Sequence, residues 1–344
     1  MNSIDRLYKW DNVKTLLIFF VVFGHLRLFF AEPSNIMSYG SFWIYLFHMP
    51  AFVFVAGLFS RNTINNKCFH KIIPYLFLYL IMKALIFFSR VFVQGGMENL
   101  HFDLFYEDEI PWFAIAMFWW HLMAIGTSKV KPLYVIILSV VIVALSGYSP
   151  YVNSFLAINR TLVFFPFFYA GYIVDVNSVT RYLSNHKIRI VSWLLIFASL
   201  LFTFMLNDSV LYWKNLFKGC FSFSEIGTEM DVALGWVWRI VAYAISAIMM
   251  ISIFAIVPRR RIVLMSEIGR RTLAIFALHI PLLIILLSDK YIIKTWLVSE
   301  HIACHCLLTA LAVVLLLSIP VFDYLLRKIM VIPPRKQHAT SSTE

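Results

Sequence analysis

Four side chains of kinds that rarely enter hydrocarbon stand inside apolar stretches of this chain: His25, His48, Arg160 and His279. A charged group at such depth costs about 3 kcal/mol or more unless it faces a cavity or a partner, so the four are expected to converge on a polar interior. Imidazole changes charge near neutral pH, and a hydroxyl attacks well only when such a base takes its proton; proton transfer is the chemistry these residue types allow. His25 lies in "KWDNVKTLLIFFVVFGHLRLFF", eleven residues after Lys14. On a helix that is about three turns, which puts both on one face roughly 16 Å apart along the axis. Asp11, three residues before Lys14, falls on nearly the same face and is placed to hold the lysine. His48, in "YLFHMPAFVFVAGLFS", precedes Pro50, which is expected to bend its helix and free a carbonyl. Arg160 opens "RTLVFFPFFYAGY" and His279 comes about mid-span in "IGRRTLAIFALHIPLL". Each has a competing use: Lys14 as a snorkelling anchor, the histidines and Arg160 as helix-to-helix hydrogen-bonding groups.

The elements that must hold them are membrane spans. Of 344 residues 61% are hydrophobic, 17% aromatic and 14% charged, and the mean hydropathy is +0.81, a surface no soluble domain tolerates. Runs of ~20 apolar residues fall near 12–31, 41–60, 72–93, 111–127, 132–148, 155–174, 189–207, 235–257, 271–288 and 302–322, predicting an all-α bundle of about ten transmembrane helices. The chain reads as one domain over 1–344, with a short cytoplasmic tail at 328–344. No short apolar core near the start leads to a small-residue cleavage site, so the first span is expected to remain a helix. Alternate connections collect cations: Arg6 and Lys9; Arg61, Lys67 and Lys71; Lys129 and Lys131; Arg181, Lys187 and Arg189; Arg259 to Arg261 with Arg270 and Arg271; Arg327, Lys328, Arg335 and Lys336. The intervening ones hold Glu98, Asp103, Glu107, Asp108 and Glu109, then Glu225, Glu229 and Asp231. That alternation predicts both termini in the cytoplasm and explains the net charge of +11 without nucleic acid. Cys68, Cys220, Cys304 and Cys306 lack metal or redox spacing, the Cys304–His305–Cys306 cluster being the single candidate, and no metal is expected. No Gly-rich phosphate loop, dinucleotide fingerprint or internal repeat is apparent. The aromatics of "PWFAIAMFWWHL" read as an interfacial belt, or as a platform on which a sugar stacks.

"KWDNVKTLLIFFVVFGH" resembles the opening of the acyltransferase-3 family of integral membrane acyltransferases, in particular the branch of fucose 4-O-acetylases and polysaccharide O-acetyltransferases. "FHMPAFVFVAGLFSR", "PWFAIAMFWW", "RTLVFFPFFYAGY" and "IGRRTLAIFALH" resemble its later segments, in order, from residue 9 to about 281. The resemblance implies transfer of an acyl group, usually acetyl from acetyl-CoA at the cytoplasmic face, to a sugar hydroxyl of a cell-surface or lipid-linked glycan, in the cell membrane. His25 is then the candidate general base, and His48 and His279 position the hydroxyl, orient His25 or relay a proton. Arg160 stabilises charge on the thioester carbonyl or orients an acidic glycan. Lys14, Arg61, Lys67, Lys71, Arg270 and Arg271 are candidate partners for the coenzyme's phosphates.

Many family members carry an Arg-x-x-Arg pair before the proline that opens the third span. Here "CFHKIIPYL" offers Cys68 and Lys71 before Pro74, so half the pair is missing and Lys67 or His70 is left to compensate. The rival reading is a transporter or flippase for a polysaccharide precursor or small solute, with the buried His and Arg lining its path. The missing internal symmetry and the Lys14–His25 spacing both speak for an enzyme.

Overall fold

The computed structural model describes residues 8–26, 29, 35–98, 100–107, 110–149, 155–206, 210–226, 232–288 and 302–330. Among these the regular elements are helices: α1 (Tyr8–Leu26), α2 (Asn35–Tyr45), α3 (His48–Asn65), α4 (Pro74–Gln94), α5 (Trp112–Gly126), α6 (Pro132–Ser146), α7 (Ile158–Ile173), α8 (Val176–Tyr182), α9 (His186–Met205), α10 (Val210–Lys218), α11 (Phe223–Ile226), α12 (Gly235–Ile256), α13 (Val263–Arg270), α14 (Thr272–Leu286), α15 (Ile302–Leu317) and α16 (Pro320–Met330).

Within the described residues each of the ten apolar segments is mainly helical, but they are not ten equal crossings. Ile36–Asn65, Phe69–Gln94, His186–Met205 and Val232–Ile256 are each long and apolar enough to cross a bilayer. Three bent pairs, α7 with α8 (96°), α13 with α14 (75°) and α15 with α16 (60°), raise the number to seven. α5 and α6 are apolar but shorter, about 22 Å each against a hydrocarbon layer of about 30 Å. α1 spends its first two turns on Lys9, Asp11 and Lys14. On length and composition the described residues therefore carry four crossings, or seven with each bent pair taken as one; the other three expected spans are α1, α5 and α6, which fall outside that test by charge or by length. The chain ends, with Arg6, Arg335 and Lys336, and the loop acids Asp108, Glu109, Glu229 and Asp231 lie outside the described residues.

α1 is fixed at its polar end. Lys9 Nζ donates to the carbonyls of Phe254 (2.7 Å) and Val257 (3.0 Å), and Asn12 donates to those of Pro258 (3.1 Å) and Arg260 (3.0 Å). The Phe254 carbonyl lies in the last turn of α12 and the other three just beyond its end, where no intrahelical donor reaches them. A Cβ on Gly269 of α13 would strike the Asp11 carbonyl, so α13 lies backbone to backbone on α1. α3 and α7 are joined more closely still: a Cβ on Gly57 would collide with the Phe168 carbonyl, and one on Gly171 with that of Phe54. Such reciprocal small residues let two helices touch along their backbones, the usual device where lipid supplies no hydrophobic drive. The helices run in the same direction, so the crossing carries His48 and Arg160, at their N-terminal ends, as one unit.

The break expected from Pro50 falls one turn earlier, at Leu46–Phe47 between α2 and α3. Pro50 sits in the first turn of α3, where its missing N–H leaves the Leu46 carbonyl without a helical donor.

Candidate functional site

His25, His48 and Arg160 line one cavity of about 520 Å³, together with Tyr45, Arg90, Trp112 and Lys218. His279 is fully buried immediately behind His25. Among the described residues three cations, Arg90, Arg160 and Lys218, line the cavity. His25 closes α1, His48 begins α3, Arg160 stands in the first turn of α7 and Arg90 lies about one turn before the end of α4. The polar side chains thus come from helix ends that meet at one end of the bundle.

The hydrogen bonds fix the tautomers of the histidine pair. His279 Nδ1 lies 3.0 Å from the Ile275 carbonyl and 2.8 Å from that of Phe276. A carbonyl only accepts, so Nδ1 carries the proton and the neutral ring keeps its lone pair on Nε2. His25 Nδ1 stands 2.9 Å from that Nε2, with the two rings nearly coplanar at 17°. His25 must therefore donate from Nδ1, which leaves the lone pair on its own Nε2. The backbone of α14 in this way sets the tautomer of a ring on α1. His48 Nδ1 likewise donates to the Ile44 carbonyl at 2.9 Å, leaving a second acceptor nitrogen on the cavity wall. Arg160 stacks its guanidinium 5.4 Å from the centre of the Trp112 ring.

The cationic candidates stand at the other end of the bundle. Lys14 Nζ is 2.9 Å from Asp11 Oδ1, the contact their spacing suggested, and 5.9 Å from the Phe59 ring centre. Arg61, Lys67 and Lys71, at and beyond the end of α3, are exposed. Arg270 is bound within its own segment, 3.1 Å from Glu267 Oε1, while Arg271 lies 3.0 Å from the other oxygen of that carboxylate. Between this rim and the histidines is a smaller cavity of about 100 Å³ lined by Thr272, Leu273, Phe52 and Phe113. It shares Val21, Met49 and Phe276 with the larger one.

Arg90, Lys214 and Lys218 did not stand out in the sequence. Lys214 is buried, 2.5 Å from Ser41 Oγ and 4.4 Å from the centre of the Tyr45 ring, which packs edge-on against His48 at 4.7 Å. Lys214 and Lys218 are four residues apart in "VLYWKNLFK", and that i, i+4 pair on a short amphipathic segment was the available signal. Arg239, inside α12, is fully buried and donates to the Leu216 carbonyl at 2.7 Å, pinning the end of α10. The belt reading of "PWFAIAMFWWHL" is corrected at two positions: Trp112 and Trp120 are buried, and Trp120 Nε1 donates to the Thr161 carbonyl at 2.8 Å. Both rings serve the start of α7, where Arg160 sits.

In comparison with known proteins, the acyltransferase-3 family model, described as an acyltransferase domain, matches residues 7–322. No curated protein and no solved structure matches.

Proposed function

Since the chain belongs to the acyltransferase-3 family and is a multi-pass membrane protein, we propose that it moves an acyl group, acetyl in the first instance, from acyl-CoA to a hydroxyl of a cell-surface or lipid-linked glycan in the cell membrane. The observation that carries this reading is the His25–His279 pair on the wall of a cation-lined cavity. His25 Nε2 takes the proton of the acceptor hydroxyl as its oxygen attacks the thioester carbonyl carbon. Negative charge builds on the carbonyl oxygen, where the Arg160 guanidinium provides fixed donors in a low-dielectric site. Collapse of the adduct breaks the carbon–sulfur bond, and the proton held on His25 Nε2 passes to the departing sulfur. The products are an ester and a free thiol.

Two features favour a donor arriving from the end opposite the acceptor. Lys14, Arg61, Lys67 and Lys71 form a rim suited to the coenzyme's phosphates, with Arg270 beside it. The smaller cavity lies along the roughly 16 Å of helix between Lys14 and His25 and can take an extended thioester arm. With acetyl-CoA labelled in the acetyl group and a panel of glycans, the purified protein should transfer label. His25→Ala should lower kcat by about 10²–10⁴ with an unchanged melting temperature. A folded His25→Ala protein with near wild-type transfer would remove the proposed base, and a wild-type protein that consumes no acyl-CoA would remove the reaction.

A further inference from the structure

The chamber of about 520 Å³ beside His25 and the smaller cavity of about 100 Å³ on the side of Lys14 meet at three side chains that line both: Val21, Met49 and Phe276. They come from the helices that carry the histidines. Val21 is one turn before His25 on α1, Met49 follows His48 on α3, and Phe276 is three residues before His279 on α14. Val21 is buried. The Phe276 ring rests on Phe113, with centres 5.3 Å apart, and Phe113 rests on Phe52 at 6.4 Å. One turn further along, the hydrogen bond between His25 and His279 ties α1 to α14, which holds Val21 and Phe276 at a set spacing. Thr272 supplies a hydroxyl to the smaller cavity, and among the described residues no charged side chain lines it. Its volume of about 100 Å³ is on the order of three times a water's share of the liquid. Such a space admits a thioester end with a small acyl group, and an unpaired carboxylate entering it is heavily penalised.

We propose that Val21, Met49 and Phe276 form a collar that selects the acyl group: uncharged groups of two or three carbons reach His25, and longer or carboxylate-bearing ones are held back. The inference rests on the acyl-transfer reading, with the donor arriving from the Lys14 end. One methylene too many in a close-fitting apolar site costs about 10–200-fold in kcat/KM, so a collar of three side chains is enough to set chain length. Its members differ in how far they can give. Val21 is β-branched and stiff, whereas Met49 is unbranched and Phe276 is half-buried, so the limit is most easily moved at these two.

The full-length protein in nanodiscs, supplied with the glycan panel, should be given acetyl-, propionyl-, butyryl-, hexanoyl- and succinyl-CoA in turn, with release of the free coenzyme thiol as the readout. In the wild type kcat/KM should fall at least about tenfold from acetyl to butyryl, with hexanoyl and succinyl lower still. Met49→Ala should raise the butyryl-to-acetyl ratio about tenfold while acetyl stays within a few-fold of wild type, and Phe276→Leu should move the ratio the same way. Succinyl should remain excluded from both variants, because the wider collar is still apolar. Phe88→Ala, on an exposed face of α4, should keep the wild-type profile. A wild type that uses butyryl or succinyl as well as acetyl, or an unchanged butyryl-to-acetyl ratio in both folded collar variants, would overturn the collar while acyl transfer stands. A wild type that releases thiol from none of the five donors would overturn the reaction and the collar together.

Discussion

His25 presents a basic nitrogen only while His279 accepts from its other one, so the two rings act as a unit. His279→Leu leaves His25 Nδ1 without its acceptor and frees the ring to take the other tautomer or turn away. We expect kcat to fall about 10²-fold with KM for both substrates little changed, whereas His279→Gln, whose carbonyl oxygen can accept the same proton, recovers part of the loss. Steady-state kinetics of the two variants decide it; equal damage in both would assign His279 to packing alone. Arg160→Lys keeps the charge but loses the fork and the stacking on Trp112, and it too should act on kcat. His25, His48, Arg160 and His279 were legible in the sequence because each interrupts an apolar run. Their pairing was not, since Ile275 and Phe276 set the tautomer through backbone carbonyls that any residue type supplies.

α3 and α7 hold His48 and Arg160 through the Gly57–Gly171 crossing. Gly171→Ala must force the backbones apart, and we expect both a lower melting temperature and a loss of activity. Gly126→Ala, at the end of α5 where a Cβ meets open space, should change neither. Arg239→Leu strips the Leu216 carbonyl of its donor and should loosen α10, raising KM for the acceptor more than for acyl-CoA. The start of α7 is tied to the 103–107 loop as well: Leu156 N–H donates to the Phe105 carbonyl at 2.6 Å. Asp103 accepts from the N–H groups of Phe105 and Tyr106, at 2.9 and 3.0 Å. Those bonds hold its carboxyl below the usual range. Because the shift is downward, the carboxylate's support for this loop is complete above the ordinary carboxylate pKa and is lost only as pH falls below it. Helix existence was readable from apolar runs. The turns between α7 and α8, α13 and α14, and α15 and α16 were not, because packing sets them, as the seating of Gly269 on Asp11 does beside Arg271.

Over the whole molecule the charge is sorted: exposed Arg61, Lys67 and Lys71 lie at one end, and the histidines with Arg90, Arg160 and Lys218 at the other. The rim cations are screened by salt, the buried ones much less. Raising ionic strength should therefore raise KM for acyl-CoA with kcat nearly constant, and Lys14→Ala should do the same; a salt effect confined to kcat would contradict the rim assignment. Composition announced the membrane and the cationic loops announced the rim, but the collar was hidden, since Val21, Met49 and Phe276 look like any other apolar residues until α1, α3 and α14 bring them together. The histidine chain has one more consequence. It runs from His25 through His279 and stops at the Ile275 and Phe276 carbonyls, which do not pass a proton onward. A proton that enters at the outer nitrogen has to leave by it, so the catalytic pair is a dead end for ions. Sealed vesicles containing the protein should keep an imposed pH gradient throughout turnover.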